Sequence, residues 1–232
     1  MKLVVGNLKM YMNLAETKDY IERMKDISSD NVIICPSYIY LPYFSNSNFK
    51  LGVQNIFSEE KGAYTGEISV LHVKEMGVKY VILGHSERRI ILNESNEFIN
   101  EKVKKTLNNG LKVILCIGEK EDCLDKEELL KSQIINCLKD VSLGNIIIAY
   151  EPVWAIGSGR TPTTEEIKET TSFIKDFIDK EYGKDIKVLY GGSVNTRNIS
   201  SLSEIDNVDG FLVGGASCDA NEFLEIASIV SS

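Results

Sequence analysis

The chain has 232 residues, of which 43% are hydrophobic and 26% are charged, a composition typical of a globular protein long enough for one α/β barrel or two small domains. Its formal net charge of −8 argues against nucleic acid or an anionic membrane as a partner, whereas an anionic substrate remains compatible because exposed charges are screened beyond about 8 Å. The sequence has no recognisable signal peptide and no apolar run of about 18 residues, so we expect neither export nor a membrane span.

Eight short apolar runs recur along the chain at intervals that leave room for a helix and two loops. This alternation, without any antiparallel signal, predicts an α/β fold: a (β/α)8 barrel with a parallel eight-stranded core. Because there is no linker and no change of composition, we expect a single domain over residues 1–232. The predicted strands cover Lys2–Asn7, Asn31–Cys35, Lys50–Gln54, Lys79–Gly84, Leu111–Cys116, Asn145–Tyr150, Lys187–Tyr190 and Val208–Val213.

Helical signals occupy the intervals between these strands. Thr163 and Glu166 form a capping box ahead of an apolar stripe, and comparable periodicity predicts helices over Asn93–Leu107 and Lys126–Leu138. Two asparagines followed by Gly110 predict a helix end. The interval between the second and third strands lacks a helical pattern. No Gly-x-Gly-x-x-Gly motif follows the first strand, which weakens an open dinucleotide-binding sheet as the alternative.

Glu151 follows the isoleucine-rich sixth strand and precedes Pro152, which disfavours helical geometry at the glutamate. The residues after it form an apolar tip that ends in Gly-Ser-Gly, a composition typical of a mobile lid. A carboxylate beside a cover that excludes water indicates proton abstraction. The alternative is a strand-end glutamate paired with a surface lysine.

Polar groups follow several strands at the end of the barrel where active sites form. We therefore expect one site assembled from these loops. The paired glycine turns after the last two strands each mark a turn, but together they offer main-chain N–H groups for a phosphate. The groups are Asn7 and Lys9 after the first strand, His85 after the fourth, Glu151 after the sixth, Gly191-Gly192-Ser193 after the seventh and Gly214-Gly215-Ala216-Ser217 after the eighth.

Lys9 lies in an otherwise apolar stretch. Its ammonium group is either solvated at the surface or, if buried, needs an anion such as a substrate oxygen or Glu87. His85 is either structural or catalytic. If Ser86 caps a short helix, the imidazole lies near the positive end of the helix dipole, which favours a neutral ring. Together these groups favour phosphate binding with base catalysis.

Motifs spread over nearly the whole chain resemble those of a known family. They are Gly6–Met10, Gln54-Asn55, Gly62–Glu67, Leu83–Arg89, Cys116–Glu119, Ala149–Gly157, Tyr190–Ser193 and Asp209–Ser217. In this order they resemble the triosephosphate isomerase family. The resemblance implies the TIM-barrel fold and the interconversion of dihydroxyacetone phosphate and glyceraldehyde 3-phosphate in glycolysis and gluconeogenesis.

The resemblance also implies a division of roles. Glu151 would move a proton between neighbouring substrate carbons through an enediolate. Neutral His85 would polarise the carbonyl, and Lys9 with Asn7 nearby would bind substrate and stabilise the developing charge. Main-chain N–H groups would hold the phosphate at Gly157, Ser193, Gly214 and Gly215. The lid that closes over the intermediate would comprise Pro152, Val153, Trp154, Ala155, Ile156, Gly157, Ser158 and Gly159.

Supporting residues follow from the same resemblance. Tyr190 resembles the residue that latches the closed lid, and Glu87 resembles the carboxylate beside the catalytic lysine and histidine. Thr65, in the loop Gln54–Glu67, resembles a residue that reaches a partner's active site. This implies a homodimer, with an intramolecular loop as the alternative. No metal or organic cofactor is implied. Five scattered cysteines without metal-ligand spacing indicate reduced thiols and a cytoplasmic protein.

Two other functions are compatible with part of this pattern. Other phosphosugar-processing barrels, such as a ribulose-phosphate epimerase or an indole-forming synthase, would share the paired glycine turns. The lid and the His-Ser-Glu-Arg-Arg turn disfavour them. A non-catalytic phosphate-binding protein is disfavoured because every catalytic candidate is present. The chain departs from the family pattern at Leu8 and Tyr11, neither of which replaces a catalytic group, and at Arg160, which follows the lid and would affect its opening. Cys116 and Cys218, near strand ends, indicate either packing or thiol sensitivity.

Overall fold

Eight strands pair in chain order and close into a barrel in which every pairing is parallel, as the sequence predicts. The computed structural model describes residues 1–25, 27, 30–157 and 159–231. Each strand lies within a residue or two of its predicted bounds. The strands are β1 (Leu3–Asn7), β2 (Val32–Cys35), β3 (Lys50–Val53), β4 (Tyr80–Leu83), β5 (Lys112–Ile117), β6 (Ile146–Tyr150), β7 (Lys187–Tyr190) and β8 (Gly210–Val213).

Successive strand residues face alternately into the barrel and towards the surrounding helices. Val5, Ile33 and Ile82 belong to the cluster that fills the barrel, whereas Val4 and Ile34 pack beneath the helices. Both faces of the strands are therefore buried. This explains why the strands read in the sequence as continuous apolar runs rather than as an alternating pattern.

The helices cover the outside of the barrel. None of those in the described ranges is both long enough and apolar enough to cross a membrane. Short 3₁₀ helices lie at Tyr38–Phe44, Leu143–Asn145, Val153–Ala155 and Gly215–Cys218. The α-helices are α1 (Leu14–Met24), α2 (Val70–Glu75), α3 (Ser86–Ile91), α4 (Asn96–Asn108), α5 (Lys126–Cys137), α6 (Thr164–Tyr182), α7 (Ile199–Ser203) and α8 (Ala220–Ser231).

The helix predictions are confirmed where capping signals are strong. The Thr163 hydroxyl accepts the Glu166 N–H at 3.2 Å and the Glu166 carboxylate accepts the Thr163 N–H at 2.7 Å, so the predicted capping box begins α6. Helix α4 begins at Asn96 rather than Asn93, because Asn93 has a left-handed φ of 54° that a helix cannot include. Between β2 and β3 the chain forms only a short 3₁₀ helix containing Pro42, which lacks a backbone N–H.

Candidate active site

The carboxyl ends of the strands surround a cavity of about 320 Å³. Four residues that are far apart in the sequence line this cavity together, namely Asn7, Lys9, His85 and Glu151. The predicted phosphate-binding positions line it as well: Gly157, Ser193, Gly214 and Gly215. The barrel thus brings the predicted acid–base groups and the glycine turns to one place. Among the described residues that line the cavity, Lys9 is the only lysine or arginine.

Glu151 is held at the end of β6 by its backbone and by its carboxylate. Its N–H donates to the Ile117 carbonyl at 2.8 Å, which continues the pairing with β5. The side chain is 3% exposed. Oε1 lies 3.1 Å from Nε2 of His85, and Oε2 accepts the Ser86 N–H at 3.1 Å. The carboxylate is therefore buried and hydrogen-bonded, as a buried charge requires.

Two glycines make room for this glutamate. A Cβ atom on Gly118 would lie 1.7 Å from the Glu151 carbonyl oxygen, and one on Gly191 would lie 2.9 Å from Glu151 Cγ. Behind the carboxylate lies the fully buried thiol of Cys116. Burial raises the pKa of the Cys116 thiol well above its ordinary value, and the neighbouring Glu151 charge raises it further. The sequence leaves two interpretations of Cys116, packing or thiol sensitivity, and the burial of its thiol favours packing.

His85 is itself the N-terminal cap of α3. Its Nδ1 accepts the Glu87 N–H at 3.3 Å. The expectation that Ser86 caps this helix is therefore wrong, since Ser86 is the first helical residue and directs its N–H to Glu151. A nitrogen that accepts a hydrogen bond carries no proton. When the ring is neutral, its proton is therefore on Nε2, which faces Glu151.

Opposing influences act on the charge of this imidazole. Burial, the largest single influence, lowers the pKa of His85, but the Glu151 carboxylate, with a smaller contribution from Glu87, raises it, and the net direction is upward. The helix dipole alone therefore does not decide the charge, contrary to the sequence expectation. The hydrogen bond to Nδ1 favours the neutral ring, whereas the two carboxylates favour imidazolium.

Lys9 has an unusual backbone that several neighbours fix in place. Its φ is 48°, in the left-handed region that most residues avoid. The Lys9 N–H donates to Asn7 Oδ1 at 3.1 Å, and its carbonyl accepts from Ser37 Oγ and Gln54 Nε2, both at 2.8 Å. The ammonium group lies 2.5 Å from Glu87 Oε1. Such a conformation persists only where surrounding contacts over-determine it, and here they aim the side chain into the cavity.

The segment after Glu151 continues as the short 3₁₀ helix Val153–Ala155. Ile156, Gly157 and Gly159 line the cavity, so the predicted lid borders it directly. Ser193 donates from its hydroxyl to the Ala155 carbonyl at 2.6 Å, which joins the lid to the turn after β7. Ser158, also predicted to belong to the lid, lies outside the described residues.

Contacts that sequence reasoning missed connect the lid to the loop after β5. The buried carboxylate of Glu119 accepts a hydrogen bond from the Tyr150 hydroxyl at 3.0 Å, and the Glu119 carbonyl accepts the Val153 N–H of the predicted lid at 2.9 Å. Arg160 donates two hydrogen bonds of 2.8 Å to Glu121 and lies over the Trp154 ring, 5.3 Å from its centroid. No local motif signals these pairs, because the barrel alone brings the two segments together.

The remaining predicted residues lie outside this cavity. Tyr190 is fully buried; its hydroxyl has no hydrogen-bond partner among the described residues and packs so closely on Gly192 that a Cβ there would lie 2.1 Å from it. Thr65 is exposed and is absent from the described lining. Asn195 and Glu222, which the sequence analysis did not single out, do line the cavity. The described residues contain no cluster of His, Cys, Asp and Glu side chains able to hold a metal ion.

Comparison with known proteins agrees with this geometry. Residues 2–230 match the family model described as triosephosphate isomerase. A triosephosphate isomerase from Thermodesulfovibrio yellowstonii is 42% identical, covering 97% of this chain and 98% of the relative. Those from Alkaliphilus oremlandii and Clostridium botulinum strain Loch Maree are each 40% identical, covering 97% of this chain and 97% and 98% of the relatives. With a family match along nearly its whole length and a closed parallel barrel of eight strands, the chain belongs to the triosephosphate isomerase family.

Proposed function

We propose that this protein interconverts dihydroxyacetone phosphate and glyceraldehyde 3-phosphate by proton transfer. The observation that supports this most is the direct contact of Glu151 with His85, 3.1 Å apart, in a cavity that Lys9 also lines. A carboxylate base, an imidazole and an ammonium group are the parts that an enediolate reaction needs: one to take a proton from carbon and two to stabilise the charge on oxygen.

In this mechanism Glu151 removes a proton from the carbon beside the substrate carbonyl and returns it to the neighbouring carbon. His85 donates its Nε2 proton to the carbonyl oxygen and takes up the proton of the neighbouring hydroxyl, so that one proton passes between the two substrate oxygens. The Glu87 N–H at Nδ1 selects the tautomer that this role needs. Once Glu151 has accepted the proton it is no longer an anion. The main influence that raises the pKa of His85 then disappears, so the neutral ring is the form that acts at the intermediate.

The developing oxyanion faces Lys9, with Asn7 beside it. Lys9 exchanges part of its interaction with Glu87 for the substrate oxygen. The phosphate is bound by main-chain N–H groups at Gly157, Ser193, Gly214 and Gly215. Gly214 lies directly beside the lysine, since a Cβ there would be in van der Waals contact with Lys9 Cε at 3.6 Å. Backbone donors suit this dianion because the cavity offers few cationic side chains.

The proposal also includes closure of the lid, the cellular role of the protein and its oligomeric state. The segment Pro152–Gly159 closes over the intermediate and excludes water, and Tyr190 latches it. The protein acts as a single catalytic domain in the cytoplasm, in glycolysis and gluconeogenesis, and needs no cofactor. Two copies form a homodimer in which Thr65 of one subunit approaches the cavity of the other.

A coupled assay of dihydroxyacetone phosphate turnover by purified protein tests the activity, with phosphoglycolate as the enediolate mimic that blocks it. We expect Glu151→Gln to lower kcat by about 10²- to 10⁴-fold while phosphoglycolate binding is retained. Glu127→Gln, on the exposed face of α5, is the matched control and should behave as the wild type.

Near-normal turnover by Glu151→Gln would reject the base assignment. Turnover of a larger phosphosugar but not of the triose would point to another phosphosugar-processing barrel. Tight phosphate binding without any turnover would instead support a non-catalytic phosphate-binding protein.

A further inference from the structure

Three lysines form a ring at the opposite end of the barrel, the N-terminal mouth, where the strands begin. Lys50, Lys112 and Lys187 are the first residues of β3, β5 and β7. In the strand register they pair with residues 33, 80 and 147 of the preceding strands, all of which belong to the cluster inside the barrel. Residues paired across a sheet point to the same face. The register therefore turns all three lysines towards the barrel axis.

Side-chain contacts agree with this placement. The ammonium group of Lys112 lies 5.5 Å from the centroid of the Tyr80 ring, and Tyr80 is an interior residue that is only 5% exposed. Lys50 forms an ion pair with Asp30, 3.4 Å away. Lys187 has no ion-pair partner among residues 1–25, 27, 30–157 and 159–231. One of the three charges is thus paired, one faces an aromatic ring and one is left to solvent.

These lysines line a cavity of about 660 Å³, larger than the one at the catalytic end. Lys184 lines it too, so the lining contains four lysine side chains but only two carboxylates, those of Asp30 and Asp185. This local excess of positive charge contrasts with the net charge of −8 on the whole chain. Like charges brought together on one face repel one another, and a bound multivalent anion would relieve that repulsion.

We propose that the N-terminal mouth of the barrel is a second anion-binding site, separate from the catalytic cavity, that takes a compact multivalent oxyanion of the phosphate class. Inorganic pyrophosphate fits this chemistry, because its adjoining phosphate groups can meet ammonium groups that rise from different strands. Orthophosphate, with fewer charges and a shorter reach, binds more weakly at the same place.

Isothermal titration calorimetry with pyrophosphate tests this site. The catalytic cavity is first saturated with phosphoglycolate, so that only a second site remains to be titrated. We expect the double variant Lys112→Gln/Lys187→Gln to bind pyrophosphate about tenfold more weakly or worse, because two charge-assisted contacts are removed. Lys168→Gln, an exposed lysine on α6, is the matched control and should bind as the wild type.

Should the double variant fail to fold, Lys187→Gln alone alters one exposed side chain and should weaken binding about threefold or more. Triose phosphate turnover of either variant should stay at the wild-type value, because neither lysine lies at the catalytic end. Equal pyrophosphate affinity in the wild type, the mouth variants and the control would overturn the proposal, as would absence of binding at low ionic strength. Orthophosphate binding as tight as pyrophosphate would overturn the multivalent part of it.

Discussion

At the scale of single residues, contacts with Glu151 and with the backbone of α3 set the protonation of His85. The carboxylate is the main influence that raises the pKa of the imidazole against the opposing influence of burial. The ring is meanwhile held with Nδ1 as an acceptor by the backbone of α3. The contact with Glu151 thus raises the pKa of the imidazole, whereas the hydrogen bond to Nδ1 fixes which nitrogen carries the proton in the neutral form.

This pair gives a titration that NMR can follow. We expect His85 to titrate above its ordinary value of 6.5 and to titrate at lower pH in Glu151→Gln, which lacks the carboxylate charge. Because the folded pKa is raised, the stability that His85 contributes is full below pH 6.5 and is lost as pH rises through the folded value. His72→Gln removes the other histidine and identifies the signal. An unchanged midpoint in Glu151→Gln would contradict the assignment.

Lys9 is the second residue whose replacement is informative. Lys9→Met keeps the length of the side chain but removes the only lysine or arginine charge in the described lining of the cavity. We expect kcat/KM to fall by about 10²-fold or more, with KM raised and kcat lowered together, because both substrate and intermediate carry negative charge. Steady-state kinetics beside an exposed control, Lys168→Met, measures this. An ordinary KM in Lys9→Met would remove the binding role.

At the scale of elements, the loop after β5 and the lid behave as one unit. Glu119 accepts hydrogen bonds from the Tyr150 hydroxyl, on β6, and from the Val153 N–H, on the predicted lid, while Arg160 joins the far side of this segment to Glu121. These contacts connect two strand ends and the predicted lid through the residues that follow β5. We therefore expect the position of this segment to depend on the charge of Glu119.

Glu119 should make stability depend on pH. Burial raises the pKa of Glu119, although the Tyr150 hydroxyl partly opposes this. The folded protein therefore holds the proton more tightly than the unfolded chain, and the free energy of unfolding falls as pH rises from about 4.5 through the folded pKa. Glu119→Gln keeps an acceptor without the charge, so its stability relative to the wild type should increase across this range. Urea unfolding at several pH values measures this difference, and a difference independent of pH would be evidence against the explanation.

At the scale of the whole molecule, apolar side chains are exposed on the loops after the first three strands. Because large exposed apolar areas mark association surfaces, these loops favour the proposed homodimer. The exposed residues are Met10, Tyr11, Ile39, Tyr43 and Tyr64.

The dimer can be tested by size and activity together. Light scattering should give about twice the 25.9 kDa of one chain. Tyr64→Lys, at a side chain that is 44% exposed, should shift the protein towards the monomer and lower kcat, because Thr65 beside it would no longer reach a neighbour. Tyr182→Lys, on α6, is the comparison variant. A wild-type monomer with full activity would rule the proposal out.

The sequence predicts the barrel well because its strands are buried on both faces and α6 carries its own capping box. It is less informative where the signal is not local. A histidine as the cap of α3 was missed because Ser86 is the more usual capping residue. The Trp154, Arg160 and Glu119 contacts join segments that only the closed sheet brings together. The lysine ring at the other mouth likewise depends on strand register, which periodicity cannot supply.

Closure of the sheet affects how readily this protein can aggregate. Since β8 pairs with β1, the eight described strands leave no row of unpaired backbone groups on which a foreign strand could grow. The isoleucine-rich β6 would otherwise be a ready template for amyloid-like stacking. Fibrils can form only after the barrel opens, so we expect variants that unfold faster to form them sooner.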